Sequence, residues 1–196
     1  MSNLPLPWTE KMKLLPEMFG IRLNEEPIYR VVKSDGAFEV RRYGELILAS
    51  LTLENVNFDE FRNQAFPRLA NYLFGQNRGK ISMAMTSPVL HYNSGLQKWT
   101  MSFVMPSKYS LRNAPKPKDH DIRLEVMTPF EAVVVTFTGN NTLENIERHE
   151  QELTHWLAFK NDLKPEGKYL FAQYDGPFVI PFLKRNEVMV KLLSIH

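Results

Sequence analysis

Strand-like runs, one long helical run and two further strand-like runs occur in that order twice along the chain, and this repeat limits the folds open to it. In the first half, Ile28 to Ser34 is β-branched and alternating, and the Asp35-Gly36 pair is a hairpin-turn signal. Phe38 to Tyr43 returns, and Glu45 to Leu53 follows the turn at Gly44. A helix is predicted over residues 58–74 and closed by Gly75 at the position after the cap, with strands over Val89 to Tyr92 and Trp99 to Met105. The linker Asn113 to Asp121 (NAPKPKDHD) then divides the halves. Beyond it, Ile122 to Val126 and Ala132 to Thr138 read as strands, and Asn141 with Glu144 reads as the capping-box start of a helix to Asp162. Tyr169 to Tyr174 and Val188 to Leu193 close the pattern. Strands interrupted by two helices argue an α+β fold with an antiparallel sheet. After an N-terminal arm of residues 1–25, two halves (26–112 and 121–193) are expected to form one domain over residues 26–196, their sheets curled into a barrel with both helices outside.

The first helix carries more apolar surface than one buried face needs. At about 100° per residue, Phe58, Phe61, Ala65, Leu69 and Tyr72 share a stripe that suffices to dock it on a sheet. Phe66, Ala70, Leu73 and Phe74 form a second stripe. Either the helix is buried on two sides, or this stripe lines a cleft for a flat apolar ligand. Pro67 predicts a kink or bulge, since an interior proline costs about 3 kcal/mol.

Composition excludes several chemistries. A formal charge of +2, with basic residues interleaved among acids, is too weak a field for nucleic-acid binding. The absence of cysteine removes disulfides, thiolate-ligated haem, zinc-thiolate sites and thiol catalysis. No run reaches the roughly 20 apolar residues of a membrane span, and the first residues hold no signal-like apolar core. A cytoplasmic protein is expected. None of His91, His120, His149, His155 and His196 forms an i, i+4 ligand pair, so each is expected to be solvated or hydrogen-bonded. Met83, Met85, Met101 and Met105 read as core filling. Thr86 and Ser87 read as a turn, since no nucleophile elbow surrounds them. Glu39 and Tyr43 share one face of a strand, where an acid and a phenol are able to transfer a proton. Arg185, Asn186 and Glu187 read as a turn network, with Glu187 paired to Arg41 or Arg42.

Several strings coincide in order and spacing: Phe38-Glu39-Val40-Arg41-Arg42-Tyr43, Ala65-Phe66-Pro67-Arg68-Leu69, Tyr72-Leu73-Phe74-Gly75-Gln76-Asn77, Met85-Thr86-Ser87-Pro88-Val89, Ala172-Gln173-Tyr174-Asp175 and Arg185-Asn186-Glu187-Val188. Together they resemble the SOUL haem-binding protein family, within the superfamily of the GyrI-like effector-binding domains. The resemblance implies a distorted barrel of eight antiparallel strands flanked by two long helices, in two pseudo-symmetric halves. It further implies non-enzymatic binding of haem or another tetrapyrrole, for buffering or transport, in an open apolar cleft beside the first helix. The cleft positions match Asn63, Phe66, Ala70 and Asn71, with Leu73 from the second stripe. The covering loop matches Gly176 to Phe182, with Phe178, Ile180 and Phe182 as its apolar groups. Arg62 and Arg68 stand nearby but project from other sides of the helix, and Lys184, which adjoins the covering loop, is a propionate partner. This chain has Asn63 and Asn71 where one branch of the family has bases, and Arg42 where another has a suspected axial histidine. The expected ligand is therefore haem b or protoporphyrin held non-covalently, without histidine ligation. Two other readings use the same frame: a small-molecule hydrolase or tetrapyrrole-modifying enzyme working in the barrel interior, and a protein-interaction module that docks an amphipathic helix in the groove.

Overall fold

A computed structural model of the chain describes residues 24–193. The N-terminal arm up to residue 23 and the terminal His196 lie outside the described residues. Nine strands and two helices follow in the order β1 (Tyr29–Asp35), β2 (Phe38–Tyr43), β3 (Leu46–Glu54), α1 (Phe58–Leu73), β4 (Val89–Gly95), β5 (Lys98–Val104), β6 (Arg123–Met127), β7 (Phe130–Phe137), α2 (Leu143–Leu157), β8 (Pro165–Gln173) and β9 (Asn186–Leu192). Nine is the number of runs read residue by residue, against the eight that the resemblance implied.

All strands join one antiparallel sheet in the order β1-β2-β7-β9-β8-β4-β5-β3-β6. Within it, β3-β5-β4 and β7-β9-β8 are the same three-strand pattern run from opposite sides, each with its helix after the first strand. The halves also exchange edges: β2 of the first half pairs with β7, and β6 of the second pairs with β3. The linker Asn113 to Asp121 is therefore a boundary in sequence and not in space. Arg68 of α1 grips it, with Nε and Nη2 donating to Asp119 at 2.7 and 2.6 Å and Nη2 also to Asp121 at 2.6 Å.

The two faces of the sheet have different cores. Both helices pack on the outer face, where Phe61, Leu69 and Tyr72 of α1 and Ile146 and Leu153 of α2 join Leu51, Phe103, Val133 and Val188. The inner face holds Tyr43, Leu48, Leu90, Val104, Val134, Leu170 and Met189. Of these, Tyr43, Leu90, Val104, Leu170 and Met189, from five different strands, close around a void of only ≈10 Å³, which shows how far the sheet curls on itself. That space is of the size of one water molecule.

The local signals decide the helix ends. Asn57 caps α1: its side chain accepts from the Glu60 N–H at 2.9 Å, and Glu60 accepts from the Asn57 N–H at 3.1 Å. Asn57 and Glu60 have the spacing of a capping box in the sequence. Asn57→Ala is expected to cost about 1 kcal/mol, read from thermal or urea unfolding. The helix ends as expected, with Gly75 at φ +105°. It runs unbroken through Pro67. The bond that proline removes would have reached the carbonyl of Asn63, which lies on the exposed face and is open to water. α2 departs from expectation at both ends. Thr142, not Asn141, is its cap and accepts from the Asn145 N–H at 3.3 Å. It stops at Leu157, because the chain tightens there into i→i+3 bonds from Phe159 and Lys160. Pro165 follows and favours extended backbone before it.

Candidate functional site

The stripe Phe58, Phe61, Ala65, Leu69 and Tyr72 is buried as its periodicity requires. The second stripe divides. Leu73 is 0% exposed and Ala70 is also buried, both within the outer core, so neither offers its side chain at the surface. Their burial reflects the tight docking of α1 on β3 and β5 and accounts for most of the apolar excess. Phe66 remains: it is 41% exposed, with its ring edge-on to buried Phe103 at 5.3 Å. Asn63 is exposed. Asn71 lines a groove of ≈370 Å³ with Arg68, Tyr72, Gln76 and Lys118. Burial raises the Tyr72 phenol to about 12, and its hydroxyl donates to the Pro115 carbonyl at 2.8 Å.

The loop before β9 leaves its apolar groups in solvent. Phe178 is 66% exposed and Phe182 is 70% exposed, with Ile180 between them at 36%. Val179 turns inward and is buried. The one-turn helix Pro181–Leu183 fixes the end of the loop, and the Pro181 carbonyl accepts from the Gly139 N–H at 2.9 Å.

Two cations meet at the same short segment. Arg62 of α1 donates through Nη1 to the Asn141 carbonyl at 3.3 Å. Lys184, after the loop, is buried and donates through Nζ to the Asn140 side-chain oxygen at 3.3 Å. Burial lowers the pKa of Arg62, and Asp59 opposes that only in part. Among the described residues, no carboxylate lies within ion-pair distance of either cation. In the sequence Asn141 reads only as a helix cap, and Asn140 beside it as part of a polar turn. Nothing local marks them; their role arises because α1 and the β8–β9 loop both reach the end of β7. Arg68, by contrast, is spent on Asp119 and Asp121, and Arg42 faces outward to Glu131 at 2.8 and 2.6 Å.

The inner face holds a second charged constellation. Glu187 is completely buried. It accepts from Arg41 at 2.9 and 3.0 Å, from Arg185 at 2.9 and 2.8 Å and from the Tyr174 hydroxyl at 2.9 Å. Of the two expected partners, Arg41 is the one that pairs. Its Nε also donates to Glu39 at 2.6 Å, so a guanidinium stands between Glu39 and Tyr43. Burial, then the Glu187 charge, pushes the Tyr43 and Tyr174 phenols above the ordinary tyrosine range. An acid already shared with an arginine and phenols that hold their protons are poorly suited to acid–base chemistry at neutral pH.

The remaining candidates have structural roles. Thr86 donates to the Val104 carbonyl and Ser87 to the Tyr174 carbonyl, tying the turn to two strands. Met83, Met101 and Met105 are buried in the outer core. His149 bonds the Asn145 carbonyl at 2.6 Å through Nδ1 and stacks on Phe137 at 3.7 Å. His91 departs from expectation, being neither solvated nor hydrogen-bonded. It is buried among Phe171, Phe61 and Phe58 at 5.4, 6.1 and 6.3 Å, and neither ring nitrogen has a partner among the described residues. The described residues contain no group of three His, Asp or Glu placed to hold a metal ion.

The family model described as SOUL heme-binding protein matches residues 24–191. The chain belongs to the SOUL family. Among curated relatives, this SOUL-family chain is 28% identical over 159 residues to Heme-binding protein 2 of Homo sapiens, covering 77% of this chain and 75% of that protein. It is 28% identical over 181 residues to Heme-binding protein 1 of Xenopus tropicalis, covering 86% and 91%. Among solved structures, the EcmrR C-terminal domain superposes with a TM-score of 0.60 at 13% identity, covering 86% of this chain and 99% of that one. A hydrolase from Listeria innocua superposes with a TM-score of 0.59 at 10% identity, covering 83% and 94%. At those identities the two structures share the SOUL-family fold and no more. No helix among the described residues is long and apolar enough to cross a membrane.

Proposed function

We propose that the chain binds haem or another tetrapyrrole non-enzymatically, for buffering or transport, beside α1 and under the β8–β9 loop. The observation that carries this reading is the convergence of Arg62 and Lys184 on Asn141 and Asn140, with apolar rings left in solvent on Phe66 of the same helix and on Phe178 and Phe182 of the loop that leads to Lys184. Two cations bonded only to neutral oxygens suit a pair of propionates. Exposed aromatic rings on a helix and on the loop that follows β8 suit a flat apolar macrocycle. The family and the names of its relatives support the same ligand class. Haem, when bound, would supply an apolar disc for Phe66, Phe178 and Phe182 and two carboxylates for Arg62 and Lys184. Burying such a disc contributes several kcal/mol at about 25 cal/mol per Å², before the costs of association. That is enough for micromolar binding without an iron bond.

Titration of haemin and of iron-free protoporphyrin, followed in the Soret band, tests this. The two are expected to bind within a few-fold of each other. Phe66→Asp is expected to weaken both at least tenfold, or about 1.4 kcal/mol. Arg62→Glu with Lys184→Glu is expected to do the same for ligands with free propionates and to spare their methyl esters. A strong preference for iron, or binding that survives Phe66→Asp unchanged, would overturn the reading.

A further inference from the structure

The inner face of the sheet changes character along β3, β4 and β5. Toward one end it is filled by Leu48, Leu90, Val104 and Met189. Toward the other, the same face turns to hydroxyls. Arg123, Ser50 and Ser102 stand in one cross-strand row, and Thr52, Thr100 and Tyr92 in the next. Ser50 and Ser102 share one hydrogen bond at 2.7 Å, and Thr100 bonds Thr52 at 2.9 Å and Ser94 at 2.8 Å. Ser50, Ser102 and Thr100 are buried. Ser50, Thr52 and Thr100 border a groove of ≈440 Å³, walled by Tyr92 on one side and by Arg123 and Glu125 of β6 on the other. Such a volume holds a small organic ligand.

From this geometry we infer a second site, on the opposite face of the sheet from α1, for a small neutral polyhydroxylated ligand of sugar size. Each hydroxyl has one donor and two acceptor positions. Two hydroxyls that share one bond leave one O–H to spare, and three that share two bonds also leave one. Ser50, Thr52 and Thr100 thus offer the groove donor and acceptor positions together, which a polyol matches better than an anion or a cation does. Tyr92 offers a flat wall for the C–H face of a sugar ring. Arg123 and Glu125, two apart on one face of β6, make no ion pair among the described residues and add a donor and an acceptor at the rim. Lys98 and Glu54 neutralise each other at 2.6 Å. Asp121, also in the lining, pairs with Arg68 at 2.6 Å. The groove therefore carries no strong field of either sign.

Saturation-transfer NMR on the full chain with glucose, N-acetylglucosamine, trehalose and inositol tests the site. At least one of them is expected to receive transfer at its ring C–H protons. Thr52→Val with Thr100→Val removes two hydroxyls at nearly constant shape in residues suited to strands, and is expected to raise that ligand's Kd at least about tenfold. Tyr92→Leu provides a second, independent test, with the same loss expected. Phe66→Asp, on the other face, is expected to leave it unchanged. Transfer to none of the four, or equal transfer in folded wild type and both groove variants, would refute the site. So would binding confined to a charged probe such as glutamate.

Discussion

Glu187→Ala is expected to lower the unfolding free energy by about 3–5 kcal/mol, the largest single-site loss foreseen in this chain. The carboxylate is completely buried in β9 and is shared by Arg41 and Arg185. Its removal leaves two guanidiniums on the inner face, with only Glu39 and Glu26 at its margins to answer them. Burial opposes the charge on Arg41, and the Glu187 carboxylate and the Tyr43 hydroxyl beside it together more than compensate, holding its pKa above the ordinary arginine value. The Tyr174 hydroxyl loses its acceptor as well. Glu187→Gln keeps the shape and one acceptor and is expected to lose less. The apolar triple variant Arg41→Met, Glu187→Leu, Arg185→Met removes all three charges together. It is expected to recover most of the stability, because the cost lies in unpaired charge and not in the absence of the network. Urea unfolding at constant m-value measures all three. A wild-type-like Glu187→Ala would show that the arginines find other partners.

The second large effect concerns His91 and acid. Burial, then the charge of Arg62, depresses its pKa to about 3, so the folded chain holds a neutral imidazole. The unfolded chain takes up that proton below about pH 6.5. The folded state therefore binds fewer protons between the two values. The contribution is intact above about pH 6.5 and is lost progressively as pH falls toward 3, at about 1.4 kcal/mol per pH unit. His91→Phe suits the aromatic surroundings of Phe58, Phe61 and Phe171 and abolishes this loss. At pH 7 it is expected to stabilise by about 1–3 kcal/mol, since it removes an unpaired buried polar group. At pH 5 the gain should be about 2 kcal/mol larger. A gain that does not grow between pH 7 and pH 5 would mean that His91 has a partner or stays charged in the fold.

Much of the frame was legible before any contact was known. The alternation in Phe38 to Tyr43 places Glu39 and Tyr43 on one face, and that face is the inner one, with Arg41 between them. The docking stripe of α1 was read correctly residue by residue. The second stripe was read as a surplus with two explanations, and burial of Ala70 and Leu73 supplies the first of them while Phe66 is left for the second. The edge exchange, in which β2 joins β7 and β6 joins β3, was not legible. A linker rich in proline and charge suggests a boundary, yet antiparallel pairing is indifferent to which half supplies the strand.

What the sequence determined by itself is what depends on neighbours a few residues apart: strand alternation, the helical stripe, the Asp35-Gly36 turn and the Gly75 stop. These rest on local geometry, where a period of two or 3.6 residues is set by the backbone alone. Only the tertiary structure decided which charges meet. Arg41 and not Arg42 reaches Glu187, Arg68 is consumed by the linker, and Arg62 and Lys184 from opposite halves end on Asn141 and Asn140. It likewise left His91 among aromatic rings, without a hydrogen-bond partner among the described residues. Such meetings follow from strand order and register, which minimise the free energy of the whole sheet at once. No short window of sequence contains that information.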